Sequence, residues 1–369
     1  MTDFFGGGAL ISLRDHLLPG LWPLLVSFAV CALFVPVAIR LSRRARLIAE
    51  PGGRHAHANP TPLLGGLAMY VGFAAAVLIF LPRYSYTPGL LVVSGLATGL
   101  LIIDDRRSMS PLVKLGIQVL LALLAVLVFG ITIKFVSLPG HHVFELGLLI
   151  APVSVFWLLG MQNTVNFLDG VDGLASGVIC IVALILMLAA GELKDIDVVR
   201  LGGALAGTCA GFLLFNFHPA RIFMGDSGAH FLGIALGMIS ILGVAKVAVA
   251  FALAVPVIAL AVPIADTAWA ILRRRRQKAS VARADLHHLH HRLQSFGLDA
   301  RQTCYVFYAA SALLGALGLT LFGHGRILAV VVVATVALTS TVAADLLQHA
   351  GWRIRAPFMR RLLGEPGSR

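Results

Sequence analysis

Charge is scarce in this chain. Only 12% of its 369 residues are Asp, Glu, Lys or Arg, about half the share found in ordinary globular domains. A soluble fold with a solvated charged surface is therefore excluded. The four cysteines, Cys31, Cys180, Cys209 and Cys304, include no CxxC pair. That leaves neither a disulfide framework nor a thiolate metal site, and they read as small residues of apolar segments. The opening MTDFFGGGALISLRDHLLPG lacks the basic start and early apolar run of a cleavable signal, so insertion is expected to begin with an uncleaved first span. What is abundant is apolar sequence, 59% of the chain. Apolar runs of about 17 to 25 residues recur from Leu21 to Leu347, each long enough to cross a hydrocarbon core as a helix.

Runs bounded by Pro, Gly and charge predict helices near 21–39, 63–81, 89–103, 112–129, 148–165, 174–190, 201–215, 229–243, 247–270, 304–322 and 327–347. The expected fold is all-α, one polytopic integral membrane domain over 1–369 with about eleven transmembrane helices. The net charge of +12 would suggest a nucleic-acid partner in a soluble protein, but here it has a topological reading. Segments that follow odd-numbered spans hold twenty-two Lys and Arg, and the opposite segments hold seven. The basic face is expected to be cytoplasmic, with the N-terminus outside and the C-terminus inside.

The polar clusters that packing does not explain all fall on that same face: TPLLGG at 61–66, IIDDRRS at 102–108, NTVNFLDGVDGLA at 163–175, NFHPARIFMGDSG at 216–228 and DLHHLHHRL at 285–293. Asp104 and Asp105 end an apolar helix, where the helix dipole and their mutual repulsion call for a cation, from Arg106, Arg107 or Lys114 or from a bound metal. Asn163, Asn166, Asp169 and Asp172 recur every three residues, which on a continuing helix stacks four oxygen-bearing side chains near one face. A helix cap at Asp172 would explain one of them and not the series. Asp226 stands between Gly225 and Ser227 before an apolar run, the place of an N-cap and also of a metal–phosphate site. His287, His288, His290 and His291 with Arg292 suit phosphate recognition. The i, i+4 pair His287 and His291 has zinc spacing but no Glu between its members. RRRRQK at 273–278 reads as a topological anchor.

Together these clusters resemble the polyprenyl-phosphate N-acetylhexosamine-1-phosphate transferases, in their WecA-like branch. The likeness runs from about Arg54 to His291 through PLLGG, the Asp104–Asp105 pair, NxxNxxDGxDGLA from Asn163, PARIFMGDSG, and an HxHH motif of His288, Leu289, His290 and His291. The related phospho-MurNAc-pentapeptide transferases usually carry three consecutive histidines instead.

The resemblance implies transfer of GlcNAc 1-phosphate from UDP-GlcNAc to undecaprenyl phosphate with loss of UMP, at the cytoplasmic face of a bacterial inner membrane. It implies a Mg²⁺ cofactor, with Mn²⁺ as a substitute ion, held by Asp226 with Asn166. Asp104, Asp105, Asp169 and Asp172 are then catalytic, and Asn163, His288, His290, His291 and Arg292 bind substrate. The catalytic loops would be 40–62, 104–114, 163–174, 216–228 and 271–303. A homodimer is the assembly that relatives suggest, and no nucleic acid is expected. Another UDP-N-acetyl sugar, such as UDP-MurNAc-pentapeptide or a deoxy-sugar, is the alternative donor. A secondary transporter is a remoter alternative, since its ionisable residues should lie at midspan and often in inverted repeats.

Overall fold

The computed structural model describes residues 7–50, 60–83, 86–138, 142–243 and 300–321. In chain order these form α1 (Gly7–Ala45), α2 (Gly65–Phe80), α3 (Tyr86–Arg106), α4 (Pro111–Leu123), α5 (Ile150–Leu168), α6 (Leu174–Glu192), α7 (Ile196–Asn216), α8 (Gly225–Leu242) and α9 (Ala300–Leu321). Two small antiparallel pairs interrupt the helical plan: β1 (Ile48–Ala49) with β2 (Thr61–Pro62), and β3 (Phe135–Leu138) with β4 (His142–Glu145). Among the described residues seven helices are long and apolar enough to cross a membrane, and Gly65–Phe80 is a shorter apolar helix. The expected spans 247–270 and 327–347 lie outside the described residues.

Local chemistry sets several boundaries. α4 starts where Ser110 accepts from the Val113 amide, with Pro111 at the first helical position. It ends in a single wide turn at Leu124–Val128. α7 begins five residues before its apolar run, because Asp195 caps it by accepting from the Val198 amide. That turn folds Asp197 and Arg200 into the helix, where Asp197 pairs with Arg200 at 3.5 Å and accepts from the Tyr86 hydroxyl at 2.6 Å. α3 likewise extends past its apolar run and carries Asp104 and Asp105 in its last turn.

α8 is buried along nearly its whole length and α7 almost as fully. Around the perimeter Leu33, Leu112, Leu120 and Phe156 are largely exposed, as side chains facing lipid should be. α1 and α7 pack most closely. A Cβ at Gly203 would collide with the carbonyl of Gly20, one at Gly207 with that of Leu24, and one at Gly211 with that of Phe28. Small residues four apart thus let the two backbones touch. Cys31, Cys209 and Cys304 are buried and all four cysteines are free, as their apolar settings predict.

Candidate active site

The ends of α3, α5 and α7 and the starts of α4, α6 and α8 meet at one end of the bundle. The junction is built on α8. Its first residue, Gly225, has φ +68°, and a Cβ there would lie 2.6 Å from Asp105 Oδ2. Glycine is needed both for the turn and for that approach. Asp105 uses the room to accept from the amides of Asp226 at 2.7 Å and Ser227 at 3.2 Å. The N-terminus of α8 is thus capped from another helix. This corrects the expectation that Asp226 is the N-cap: it sits in the first turn, and the N-cap residue Met224 makes no side-chain cap bond.

TPLLGG serves the same turn through its backbone. The amides of Gly65 and Gly66 donate to the carbonyls of Phe223 and Met224, each at 3.0 Å, and the Phe223 amide returns a bond to Pro62 at 2.8 Å. Ser42 on α1 anchors this segment by accepting from the Leu63 amide at 3.1 Å and donating to the Leu47 carbonyl.

With its amide held by Asp105, Asp226 turns its carboxylate to Lys114, which bridges Asp226 Oδ2 at 2.5 Å and Asp104 Oδ2 at 2.6 Å. The other oxygen of Asp104 accepts from the Met109 amide at 2.6 Å. Of the three candidate counterions for the Asp104–Asp105 pair, Lys114 is therefore the one in contact, and it serves Asp104. Asp105 is satisfied by helix amides.

The Asn163 to Asp172 series does not continue along one helix. α5 ends at Leu168, with Asp169 as its C-cap at φ −79° and ψ 45°. Asn163 donates to Gln118 Oε1 and to the Leu159 carbonyl. Asn166 lies on the last turn of α5, partly buried. Asp172 lies beyond a turn and accepts from the Ala220 amide at 3.1 Å, with His218 Nδ1 2.9 Å away. Asn216 ties this turn to the α7–α8 connection by accepting from the Gly173 amide and donating to the Ile222 carbonyl. From α9, Tyr308 donates to the Gly173 carbonyl and Arg301 to that of His218. Burial, and then the like charges of Asp226, Asp105 and Asp172, push the Asp169 carboxyl well above the usual carboxylate range.

Among the described residues no three His, Cys, Asp or Glu side chains converge as metal ligands. Magnesium needs only one or two carboxylates when substrate phosphates and waters complete its shell. Asp226 in the first turn of α8 and Asn166 and Asp169 at the end of α5 offer oxygen donors, so the donor set fits a divalent cation brought in with phosphates.

A family model described as "Glycosyl transferase family 4" matches residues 87–244, the stretch carrying all these acidic residues. A Bacillus subtilis (strain 168) protein described as "Probable undecaprenyl-phosphate N-acetylglucosaminyl 1-phosphate transferase" is 35% identical over 77% of this chain and 80% of its own length. The chain belongs to the polyprenyl-phosphate N-acetylhexosamine-1-phosphate transferases. This transferase is also 33% identical to the "Decaprenyl-phosphate N-acetylglucosaminephosphotransferase" of Mycolicibacterium smegmatis, over 93% of the chain and 91% of that protein. Its likeness to the "Phospho-N-acetylmuramoyl-pentapeptide-transferase" of Heliobacterium modesticaldum is 33%, over 81% of the chain and 97% of that protein.

Of the expected site residues, the transferase brings Asp104, Asp105 and Asp226 into one bonded group through Lys114 and the α8 amides, with Asp169 and Asp172 beside it. His288, His290, His291 and Arg292 lie outside the described residues. Sequence reasoning passed over Gln118, His218 and His230. His218 sits in the flagged NFHPARIFMGDSG segment. A polar signal for His230 was present too, as a histidine inside an apolar helix.

Proposed function

We propose that the protein transfers N-acetylhexosamine 1-phosphate, GlcNAc 1-phosphate in the first instance, from a UDP-sugar to undecaprenyl phosphate. An oxygen of the lipid phosphate attacks the sugar-linked phosphorus, the bond to UMP breaks, and a lipid-diphosphate-linked sugar remains. The observation that carries this reading is the gathering of five aspartates and one lysine at a single end of an apolar helix bundle, in a chain of this family. Two anionic groups must meet there, and the barrier to their approach is electrostatic. The reading includes about eleven spans, a bacterial inner-membrane location, a cytoplasmic site and a homodimer.

A bound Mg²⁺ would neutralise the phosphates and polarise the reacting phosphorus. Asp226 would hold it with Asn166, Asp169 and Asp172 supporting the shell. Lys114 contributes a fixed positive charge beside Asp226. Asp104 and Asp105 have both oxygens engaged as acceptors, which suits groups that shape the site. A base is not required, because a phosphate monoester with second pKa of about 6 is largely dianionic at neutral pH. His288, His290, His291 and Arg292 are assigned to the donor, where neutral imidazoles can donate to phosphate oxygens.

Kinship with the pentapeptide transferases favours UDP-MurNAc-pentapeptide as the second donor to test. The HxHH motif favours UDP-GlcNAc. The test is UMP release by the purified protein with undecaprenyl phosphate, Mg²⁺ and a panel of UDP-sugars, with Asp226→Asn as the reference variant. Asn keeps the shape and removes the charge, so turnover should fall about a hundredfold or more while thermal stability changes little. Near-normal turnover in the variant, or no UMP from any donor in the wild type, would refute the assignment.

A further inference from the structure

His230 is fully buried in α8, one turn beyond Asp226, and nothing in the reaction above uses it. Its Nδ1 lies 2.8 Å from the Asp226 carbonyl, and its Nε2 lies 2.7 Å from Gln118 Nε2. A carbonyl only accepts, so Nδ1 must carry the proton. Nε2 is then the acceptor and the Gln118 amide the donor. That orientation leaves Gln118 Oε1 as an acceptor, and it receives the Asn163 amide at 2.9 Å. Every bond therefore runs one way, from Asn163 on α5 through Gln118 on α4 to His230 and the Asp226 carbonyl on α8.

Asp226 is consequently held at all three of its polar groups: the amide by Asp105, the carboxylate by Lys114 and the carbonyl by His230. Lys114 and Gln118 are four apart on α4, so one helix face holds the Asp226 carboxylate directly and its carbonyl through His230. We propose that Asn163, Gln118 and His230 are positioning residues, a directed hydrogen-bond line that sets where α8 presents Asp226. The proposal rests on the transferase reading and extends it. It gives Asn163, expected to bind substrate, a second role.

The two helices that the line connects, α5 and α8, also share a direct, partly buried bond, Trp157 Nε1 to Ser240 Oγ at 2.9 Å. Ser240 stands ten residues from His230, about 15 Å along the helix, and so supplies a control for packing alone. His230→Leu and Gln118→Met should each lower kcat about tenfold to a hundredfold, the scale of a small misplacement of a reacting group. KM for both substrates should stay within about twofold. The double variant should be no worse than either single one, because each breaks the same line. Ser240→Ala should lose stability and keep kcat.

The Mg²⁺ concentration for half-maximal thermal stabilisation should rise several-fold in both line variants and not in Ser240→Ala. Should His230→Leu fail to fold, Gln118→Met, close in volume, carries the same measurements. Unchanged kcat, additive losses in the double variant, or an equal kcat loss in Ser240→Ala would each overturn the proposal. A wild type that releases no UMP with any donor would defeat the transferase reading instead. The Mg²⁺ midpoint then decides, and an unchanged midpoint in the line variants sinks the positioning role.

Discussion

Replacing Lys114 by Met removes, among the described residues, the one cation in contact with both Asp104 and Asp226 while keeping most of the side-chain volume. Breaking a fully buried ion pair from one side costs about 3 to 5 kcal/mol. The Asp104 side chain is 3% exposed and meets that condition, but those of Lys114 and Asp226 are 22% and 31% exposed, so solvent takes up part of the loss. Asp104 also keeps its bond from the Met109 amide. The expected destabilisation without metal is therefore about 2 to 3 kcal/mol. For a chain of this size that is roughly 3 to 4 °C in Tm. The assay is thermal unfolding of the full chain in lipid nanodiscs, with chelator and with Mg²⁺, at one fixed scan rate because membrane proteins often unfold irreversibly. Mg²⁺ should narrow the deficit by neutralising Asp226 and leave the part due to Asp104. Lys114→Arg should recover most of the loss, which separates charge from volume. A Met variant that melts with the wild type in chelator, or a deficit that Mg²⁺ widens, would refute the reasoning.

Asp169 gives a pH dependence. Its raised pKa means that the folded state resists its ionisation, so its contribution to stability is whole below the unfolded value of about 3.9 and is lost as pH rises through the folded value. In chelator, Asp169→Asn should remove that loss and out-melt the wild type at neutral pH, and Mg²⁺ should stabilise the wild type more at about pH 8 than at about pH 6. Equal pH slopes in the two proteins would refute this. Gly225→Ala combines left-handed strain with a methyl group forced against Asp105, and should cost about 2 to 3 kcal/mol in melting experiments. Asp105→Asn trades one amide acceptor for a donor facing the α8 amides, and its turnover deficit should be flat with pH. Recovery of its activity as pH rises would instead mark Asp105 as a base.

The apolar runs announced the helices, because span length and composition are set by the hydrocarbon they must cross. The ends were less legible. Asp195 and Ser110 move helix starts by side-chain capping, and Asp104 and Asp105 ride on a helix that outlasts its apolar run. The acidic clusters could be picked out because carboxylates at the edge of apolar helices need a reason. Their partnerships could not, since Asp105 reaches α8 across 121 positions and Lys114 reaches Asp226 across 112. The three-residue spacing from Asn163 to Asp172 suggested a single helical face, but Asp169 closes α5 and the chain turns before Asp172. TPLLGG stood out as unusual, yet its work lies in backbone amides, which a side-chain reading does not see.

The glycine seam between α1 and α7 changes which substitutions should be expected to silence this protein. α1 leads to Ser42, which holds the segment bracing the α8 turn, and α7 leads to Asn216, which holds the turn before α6. Both helices take their relative height from the contact at Gly203, Gly207 and Gly211. Gly207 stands nine residues from Asn216, about 13 Å deeper in the bundle. A methyl group there forces the helices apart and displaces two anchors of a site it never touches. Loss-of-function variants should therefore concentrate along an uncharged line in the bilayer interior as well as at the acidic end. A survey of harmful changes limited to polar residues would overlook them.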